Sequence, residues 1–228
     1  SVVVHCAGPF AETFAPMVEA CIRNGVHYVD INGEISVIDS ISQYSEAAKR
    51  KGIMLLPAVG FDVVPSDTLA FALSKKVQEC DLRSSGCKLK LYFHYNESGA
   101  LISRGTSNVM RSGKRGVYLC RESGKISEVP SKAVPLAERE QCSYAPYTSA
   151  TLLSVKPASM ADVATAFFST GIANIYCYMS DKASMIQFRS IVTPFSEAVS
   201  DRGQKTQPIG PTDKENEVGE AYVHGSIH

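Results

Sequence analysis

Three apolar blocks open the chain, each ending abruptly at small or polar residues. Val2-Val3-Val4-His5-Cys6 runs into Ala7-Gly8-Pro9, the pattern of a buried parallel strand that breaks into a turn. Phe10, Phe14, Met17, Val18, Cys21 and Ile22 then recur on one face of a helix, and Asn24-Gly25 stops it. Val26 to Ile31 predicts a second strand ending at Asn32-Gly33-Glu34. A second helix follows, with Ser36 as its cap, Asp39 completing a capping box, and Lys49-Arg50-Lys51 in its last turn before Gly52. Ile53 to Leu56 predicts a third strand, and Pro65 the first position of a third helix reaching Val77. The order β-α-β-α-β-α implies parallel strands joined by right-handed crossovers.

The pattern changes after Cys80. Lys88 to Tyr95 alternates as a half-exposed antiparallel strand does. Gly116 to Cys120 and Lys125 to Val129 predict a hairpin about Glu122-Ser123-Gly124. A strand over Thr151 to Val155, a helix over Met160 to Phe168 capped by Ser159, and a strand over Ile172 to Tyr178 follow. Thr106 to Arg111 suits a short helix, Met185 to Val192 either helix or strand, and Ser200 to Glu217 an exposed charged segment. Gly219 to Ile227 reads as the start of a strand. The fold class is therefore α/β, a partial Rossmann fold (doubly wound parallel sheet) followed by an α+β unit. The boundaries are 1–80 for the C-terminal half of a dinucleotide-binding domain and 81–228 for an incomplete second domain.

Composition narrows this picture. The 228 residues are 44% hydrophobic and 20% charged, with a formal net charge of +0 and a pI of about 6.9. No general attraction to nucleic acid follows from that balance. Seven scattered cysteines with no C-x-x-C argue against a zinc site or redox motif and for free thiols in a reducing, cytoplasmic setting. No apolar run reaches the roughly 18–20 residues of a membrane span, and a metal is not expected.

Ligands of open α/β sheets bind at the carboxyl ends of strands. Here those ends are Cys6-Ala7-Gly8-Pro9, Asp30-Ile31-Asn32-Gly33-Glu34 and Gly60-Phe61-Asp62. Small residues at the first let a ribose or nicotinamide lie against backbone, although Gly-Pro also simply turns a chain. A carboxylate at the second suits ribose hydroxyls, although Asp, Asn and Gly are ordinary turn residues. Asp62 is either a helix cap or a proton donor facing a cleft. His5 is read as a packed strand residue, and Arg104 as an exposed loop cation that could meet an anion. No G-x-G-x-x-G occurs, so the turn that would hold a pyrophosphate is expected upstream of this chain. On that basis the chain alone is expected to bind NADPH weakly or not at all.

Together VVVHCAGPF, HYVDINGE, AVGFDVVPSD, SRGTSN, DVATAFFSTGIANIYCYM and IGPTDKENEVGEAYVHG resemble the saccharopine dehydrogenase-like oxidoreductases, in the branch that includes the trans-acting enoyl reductases. The resemblance implies an NADP- or NAD-dependent enzyme acting on a small molecule by hydride transfer, with an enoyl or imine group as the acceptor. It implies that Cys6, Ala7, Gly8 and Pro9 lie along the nicotinamide side, with Asp30 and Gly33 close by. The second domain would carry substrate binding and dimerisation. Relatives often have Asn at the position of His5, so no polar contact is assigned there. The competing reading is a non-catalytic Rossmann relative acting as a scaffold or lipid-associated protein, and lipid or membrane association is left open.

Overall fold

Two sheets, each backed by helices, organise the chain in the computed structural model, which describes residues 1–79, 87–95, 116–130, 155–180 and 221–227. The first sheet has strand order β1 (Val2–His5), β2 (His27–Asp30), β3 (Leu55–Leu56), all parallel. His5 is paired with Asp30 and Val29 with Leu56, which brings the three carboxyl ends to one edge. Helix α1 (Phe10–Asn24) follows β1 and ends at Gly25 in the left-handed region. Its Phe10, Phe14, Val18 and Cys21 bury against Tyr28 and Val37.

The single helix expected after β2 is instead α2 (Ile35–Ser40), a 3-10 turn (Ile41–Tyr44) and α3 (Ser45–Lys51). The serines explain the break. Ser40 Oγ donates to Val37 O (2.6 Å) and Ser42 Oγ to Asp39 O (3.1 Å), competing with the helical ladder. The Ser36 cap is also corrected. Helix α2 begins at Ile35, and its first free amides, Val37 and Ile38, bond Glu34 O, each at 3.0 Å. Tyr44 and Val37 belong to the α1 core, so the crossover helices cover one face of the sheet. On the opposite face Val2 and Val4 are exposed by 55% and 62%. That arrangement follows from strand order: successive right-handed crossovers in one direction stay on one side.

Helix α4 (Val64–Glu79) begins one residue before Pro65 and packs on the second sheet rather than the first. That sheet holds β4 (Lys88–Tyr95), β5 (Val117–Glu122), β6 (Lys125–Pro130), β8 (Asn174–Ser180) and β9 (Ala221–Ile227) in order β6-β5-β8-β4-β9, with β7 (Val155–Pro157) on β8. The expected hairpin is β5–β6, turning at Ser123-Gly124. β4 is antiparallel on one side only and is more buried than the alternation implied. It lies inside the sheet, parallel to β8 and antiparallel to β9, with Leu89, Leu91 and Phe93 buried on one face and Tyr92 on the other.

Helix α5 (Asp162–Thr170) packs beside α4 on this sheet, against β8 and β5. Ser159 does not cap it. Ser159 Oγ accepts from Leu119 N at 2.9 Å, tying the start of the helix to β5. One core joins α2 and the exit of β3 to the second sheet, with Ile35, Ile38, Ala58, Val63 and Ala70 packed among Leu89, Leu91, Val163, Ala164 and Ile175. The readings of Thr106–Arg111, Met185–Val192, Ser200–Glu217 and Arg104 fall outside the described residues.

Candidate functional site at the carboxyl edge of the parallel sheet

Strand alternation sends Tyr28, Asp30 and Asn32 to one side of β2 and its extension. The result is a buried polar hub. Asp30 is fully buried, and its Oδ1 accepts from Asn32 N (3.0 Å), Asn32 Nδ2 (3.0 Å) and Ala58 N (2.8 Å). Its Oδ2 accepts from Tyr28 Oη (2.7 Å) and Asn32 Nδ2 (3.1 Å). Burial and the neighbouring Asp30 carboxyl push the Tyr28 phenol well above its ordinary pKa, so it stays a neutral donor. His5 closes the hub from β1, with Nδ1 2.9 Å from Tyr28 Oη and Nε2 2.9 Å from Ala7 O. It is 5% exposed, a packed strand residue that also fixes the turn after β1. Each buried polar group of the hub finds a partner, which is what makes such a network rigid rather than costly.

The hub positions all three strand ends. Asp30 O receives Val59 N (2.8 Å) while its side chain holds Ala58 N, so the β3 exit is pinned twice. Ala58 sits at φ 60, a left-handed conformation that costs a non-glycine residue about 1–3 kcal/mol and persists only where surroundings impose it. Asn32 Oδ1 accepts from Glu34 N (2.9 Å). Glu34 then reaches the amides at the start of α1, Oε1 to Phe10 N (2.9 Å) and Oε2 to Ala11 N (3.0 Å). The loop after β1 is thereby locked to the loop after β2. Cys6, Ala7, Gly8 and Pro9 are exposed on the outside of this lock, with a cis Gly8-Pro9 bond. Cys6 is a free thiol.

Asp62 joins the second and third strand ends. A Cβ on Gly60 would stand 2.6 Å from Asp62 Oδ1, and one on Gly33 3.3 Å from Oδ2. The carboxylate is therefore laid across two glycine backbones that leave it room. The Asp62 side chain is open to solvent, yet enough protein surrounds it that desolvation lifts its carboxyl above the usual range. Val63 N and Val64 N bond Gly60 O at 3.2 and 3.0 Å, so the first turn of α4 is closed by backbone. Phe61, 81% exposed, projects beside Asp62.

Of the residues read from sequence, Cys6–Pro9, Gly33 and Asp62 line the exposed strand edge, whereas the Asp30 side chain faces inward. Sequence reasoning did not assign Glu34, Tyr28 or the hub itself. The i, i+2, i+4 spacing of Tyr28, Asp30 and Asn32 was the available signal. Nothing local announces that Glu34 caps a helix that starts before it.

A backbone ledge without bulky side chains, at the end of parallel strands, fits a flat nicotinamide and its ribose. Among the described residues no group of His, Cys, Asp and Glu could hold a metal ion, and no helix is long and apolar enough to cross a membrane. Residues 1–56 match the family described as saccharopine dehydrogenase NADP binding domain. The human saccharopine dehydrogenase-like oxidoreductase is 37% identical over 68 residues, 29% of this chain and 16% of the relative. A trans-acting enoyl reductase of Mycobacterium leprae is 37% identical over 79 residues, 34% of this chain and 19% of the relative. Saccharopine dehydrogenase (L-Glu forming) of Saccharomyces cerevisiae is a solved structure with TM-score 0.44 and 17% identity, covering 78% of this chain and 40% of that one. The matches thus span under a fifth of the length of the two sequence relatives. The resemblance read from sequence is matched over the first two strand ends: residues 1–56 fit the saccharopine dehydrogenase NADP binding domain, and the chain is similar to saccharopine dehydrogenase-like oxidoreductases and trans-acting enoyl reductases.

Proposed function

We propose that the chain is the nicotinamide-side part of an NADP- or NAD-dependent oxidoreductase that reduces an enoyl or imine group of a small molecule. The observation that carries this reading is the Asp62 carboxylate seated between Gly33 and Gly60, on the same locked edge as the Cys6–Pro9 ledge. The bound dinucleotide supplies the hydride. The ledge from Cys6 to Pro9, with Gly33, keeps side chains away from the ring and ribose. Asp30 acts through the backbone it holds rather than by touching the cofactor. Asp62 holds the matching proton on a carboxyl oxygen and gives it to the substrate as the hydride arrives, then regains one from solvent. Desolvation raises its pKa, which is the direction that proton donation requires. The substrate would rest on the part beyond residue 80.

The test is a screen of the full-length protein with NADPH, enoyl thioesters and imines formed from amino acids, following nicotinamide absorbance. Turnover that falls in Asp62→Asn while NADPH still binds supports the assignment, and unchanged turnover removes Asp62. A full-length protein that binds no dinucleotide would replace the enzyme reading with a scaffold. For that second role the exposed Val2, Val4 and Leu56 offer an apolar face.

A further inference from the structure

Three contacts of the buried hub each need a hydrogen between their atoms. His5 Nε2 lies 2.9 Å from Ala7 O, His5 Nδ1 lies 2.9 Å from Tyr28 Oη, and Tyr28 Oη lies 2.7 Å from Asp30 Oδ2. A neutral imidazole carries one N–H and a phenol one O–H, so those two groups leave one contact without a hydrogen. Ala7 O is a carbonyl and only accepts, which places a hydrogen on Nε2. The missing hydrogen does not fit on Asp30. Its Oδ2 already takes Tyr28 and Asn32 Nδ2, one donor for each lone pair, and its Oδ1 takes Asn32 N, Asn32 Nδ2 and Ala58 N. That leaves Nδ1 of His5.

Charge gives the same answer. The Asp30 carboxylate is fully buried, and a buried charge needs a partner of opposite sign. Among the described residues no Lys or Arg pairs with it. From β2 comes Tyr28, kept as a neutral phenol by burial and by the Asp30 carboxyl. From α1 come Phe10, its ring centre 5.0 Å from that of His5, and Cys21, a thiol that burial keeps protonated. Glu34, the acid beyond Asn32, is engaged on the Phe10 and Ala11 amides. An imidazolium at His5 supplies the cation, one phenol away from Asp30.

We propose that His5 is a doubly protonated positioning residue: it donates to Ala7 O and to Tyr28 at once, balances Asp30 through that phenol, and so ties the Ala7–Pro9 ledge to the hub. The other donor to Ala7 O is Thr13 Oγ1 (3.0 Å), a single hydroxyl shared with Pro9 O (3.1 Å). When the extra proton leaves, Nδ1 and Asp30 Oδ2 become two acceptors for one phenol hydrogen, and one contact opens. The protonation of His5 stands on the hub alone, while its effect on a dinucleotide rests on the function proposed above.

Nitrogen-15 spectra of the full-length protein, labelled at histidine, read the proton directly, and His5→Gln identifies the His5 signals by their loss. At neutral pH both ring nitrogens of His5 should carry hydrogen, each with its own one-bond N–H coupling. In Tyr28→Phe, which removes the acceptor at Nδ1, only Nε2 should keep its hydrogen. A bare ring nitrogen in the wild type at neutral pH would overturn the proposal, as would both hydrogens retained in Tyr28→Phe. Should Tyr28→Phe not fold, the wild-type spectrum decides alone. NADPH titration then reads the ledge. Glutamine brings a donor and an acceptor, like the neutral ring, but not two donors. At neutral pH His5→Gln should therefore bind about tenfold more weakly than wild type, the scale of one lost hydrogen bond. The two affinities should converge at the pH where the wild-type spectrum loses its second ring hydrogen. Equal affinities while both ring hydrogens are present would overturn the positioning role. A full-length protein that binds no NADPH fails the dinucleotide reading, and the spectra still decide His5.

Discussion

Glu34 caps a helix that begins before it in the chain: both of its carboxyl oxygens lie on the first amides of α1, at Phe10 N (2.9 Å) and Ala11 N (3.0 Å). A helix N-terminus leaves its first amides unpaired and favours negative charge, and α1 has no side-chain cap of its own at Pro9. Glu34→Ala should cost about 1–2 kcal/mol. In a chain of this size that lowers Tm by roughly 2–8 °C in a thermal melt. Glu34→Gln keeps one acceptor oxygen and should cost about half as much. NADPH affinity of the full-length protein should fall with the Ala variant, because the loop after β1 loses its tie to the loop after β2.

Gly60 is fixed by the same edge for another reason. A Cβ there would lie 2.6 Å from Asp62 Oδ1, closer than real contacts allow. Gly60→Ala should turn the Asp62 carboxyl away from its seat. The expected outcome is a fall of about a hundredfold in turnover of the full-length protein, the scale of an ångström's misplacement of a reacting group. Thermal stability should change by less than about 1 kcal/mol, because Asp62 is exposed. Gly33→Ala, at 3.3 Å from Oδ2, should be milder. Equal kcat in wild type and Gly60→Ala would detach Asp62 from the chemistry.

Much of this architecture was legible in the sequence because it is local. Branched apolar runs, the α1 stripe from Phe10 to Ile22 and the Ser123-Gly124 turn each report on a dozen residues or so. What was not legible depends on partners far along the chain. Ser36 and Ser159 carry good capping signals, but Glu34 O serves the amides of α2, and Leu119 N claims Ser159. Lys88 and Lys90 made β4 look half exposed, while its neighbours β8 and β9 lie about 80 and 130 residues onward and bury it. In the site, the alternation of Asp30 and Asn32 was visible. That Asp30 points inward follows from Tyr28 on β2, itself held by His5 of β1, and from Ala58 at the exit of β3, both of which donate to its carboxylate.

Gly225 is where α4 meets β9. A Cβ at this position would come within 2.9 Å of both Leu73 Cδ1 and Leu91 Cδ2. Both leucines pack in or against the main core, so they have little room to move. Gly225→Ala should destabilise by about 1–3 kcal/mol through overpacking, and Gly225→Val by more. Chemical denaturation would read this as a lower midpoint at unchanged m. A pairing of Gly225→Ala with Leu73→Ala should recover part of the loss, since the truncated leucine vacates the space the methyl needs. Additive losses would place the clash elsewhere.

Arg121 and Asp39 bind the two sheets through the helix layer between them. The Arg121 side chain is 3% exposed, and Nε, Nη1 and Nη2 reach Val163 O, Gly124 O and Asp39 Oδ1 in turn. Its guanidinium also lies 4.3 Å from the Phe167 ring centre. Lysine has neither the fork nor the stacking plane, so Arg121→Lys should cost about 2–4 kcal/mol by stranding two carbonyls in the core. Asp39 is 40% exposed, so its own charge is partly met by water, and Asp39→Asn still offers Nη2 an acceptor. That change should cost under about 1 kcal/mol. Asp39→Ala leaves a buried guanidinium nitrogen unpaired and should fall between. A double-mutant cycle of Arg121→Lys with Asp39→Ala should give a coupling of about 1 kcal/mol. The descending order of cost, from Arg121→Lys through Asp39→Ala to Asp39→Asn, follows from where each change leaves an unpaired group: in the core, at its margin, or nowhere.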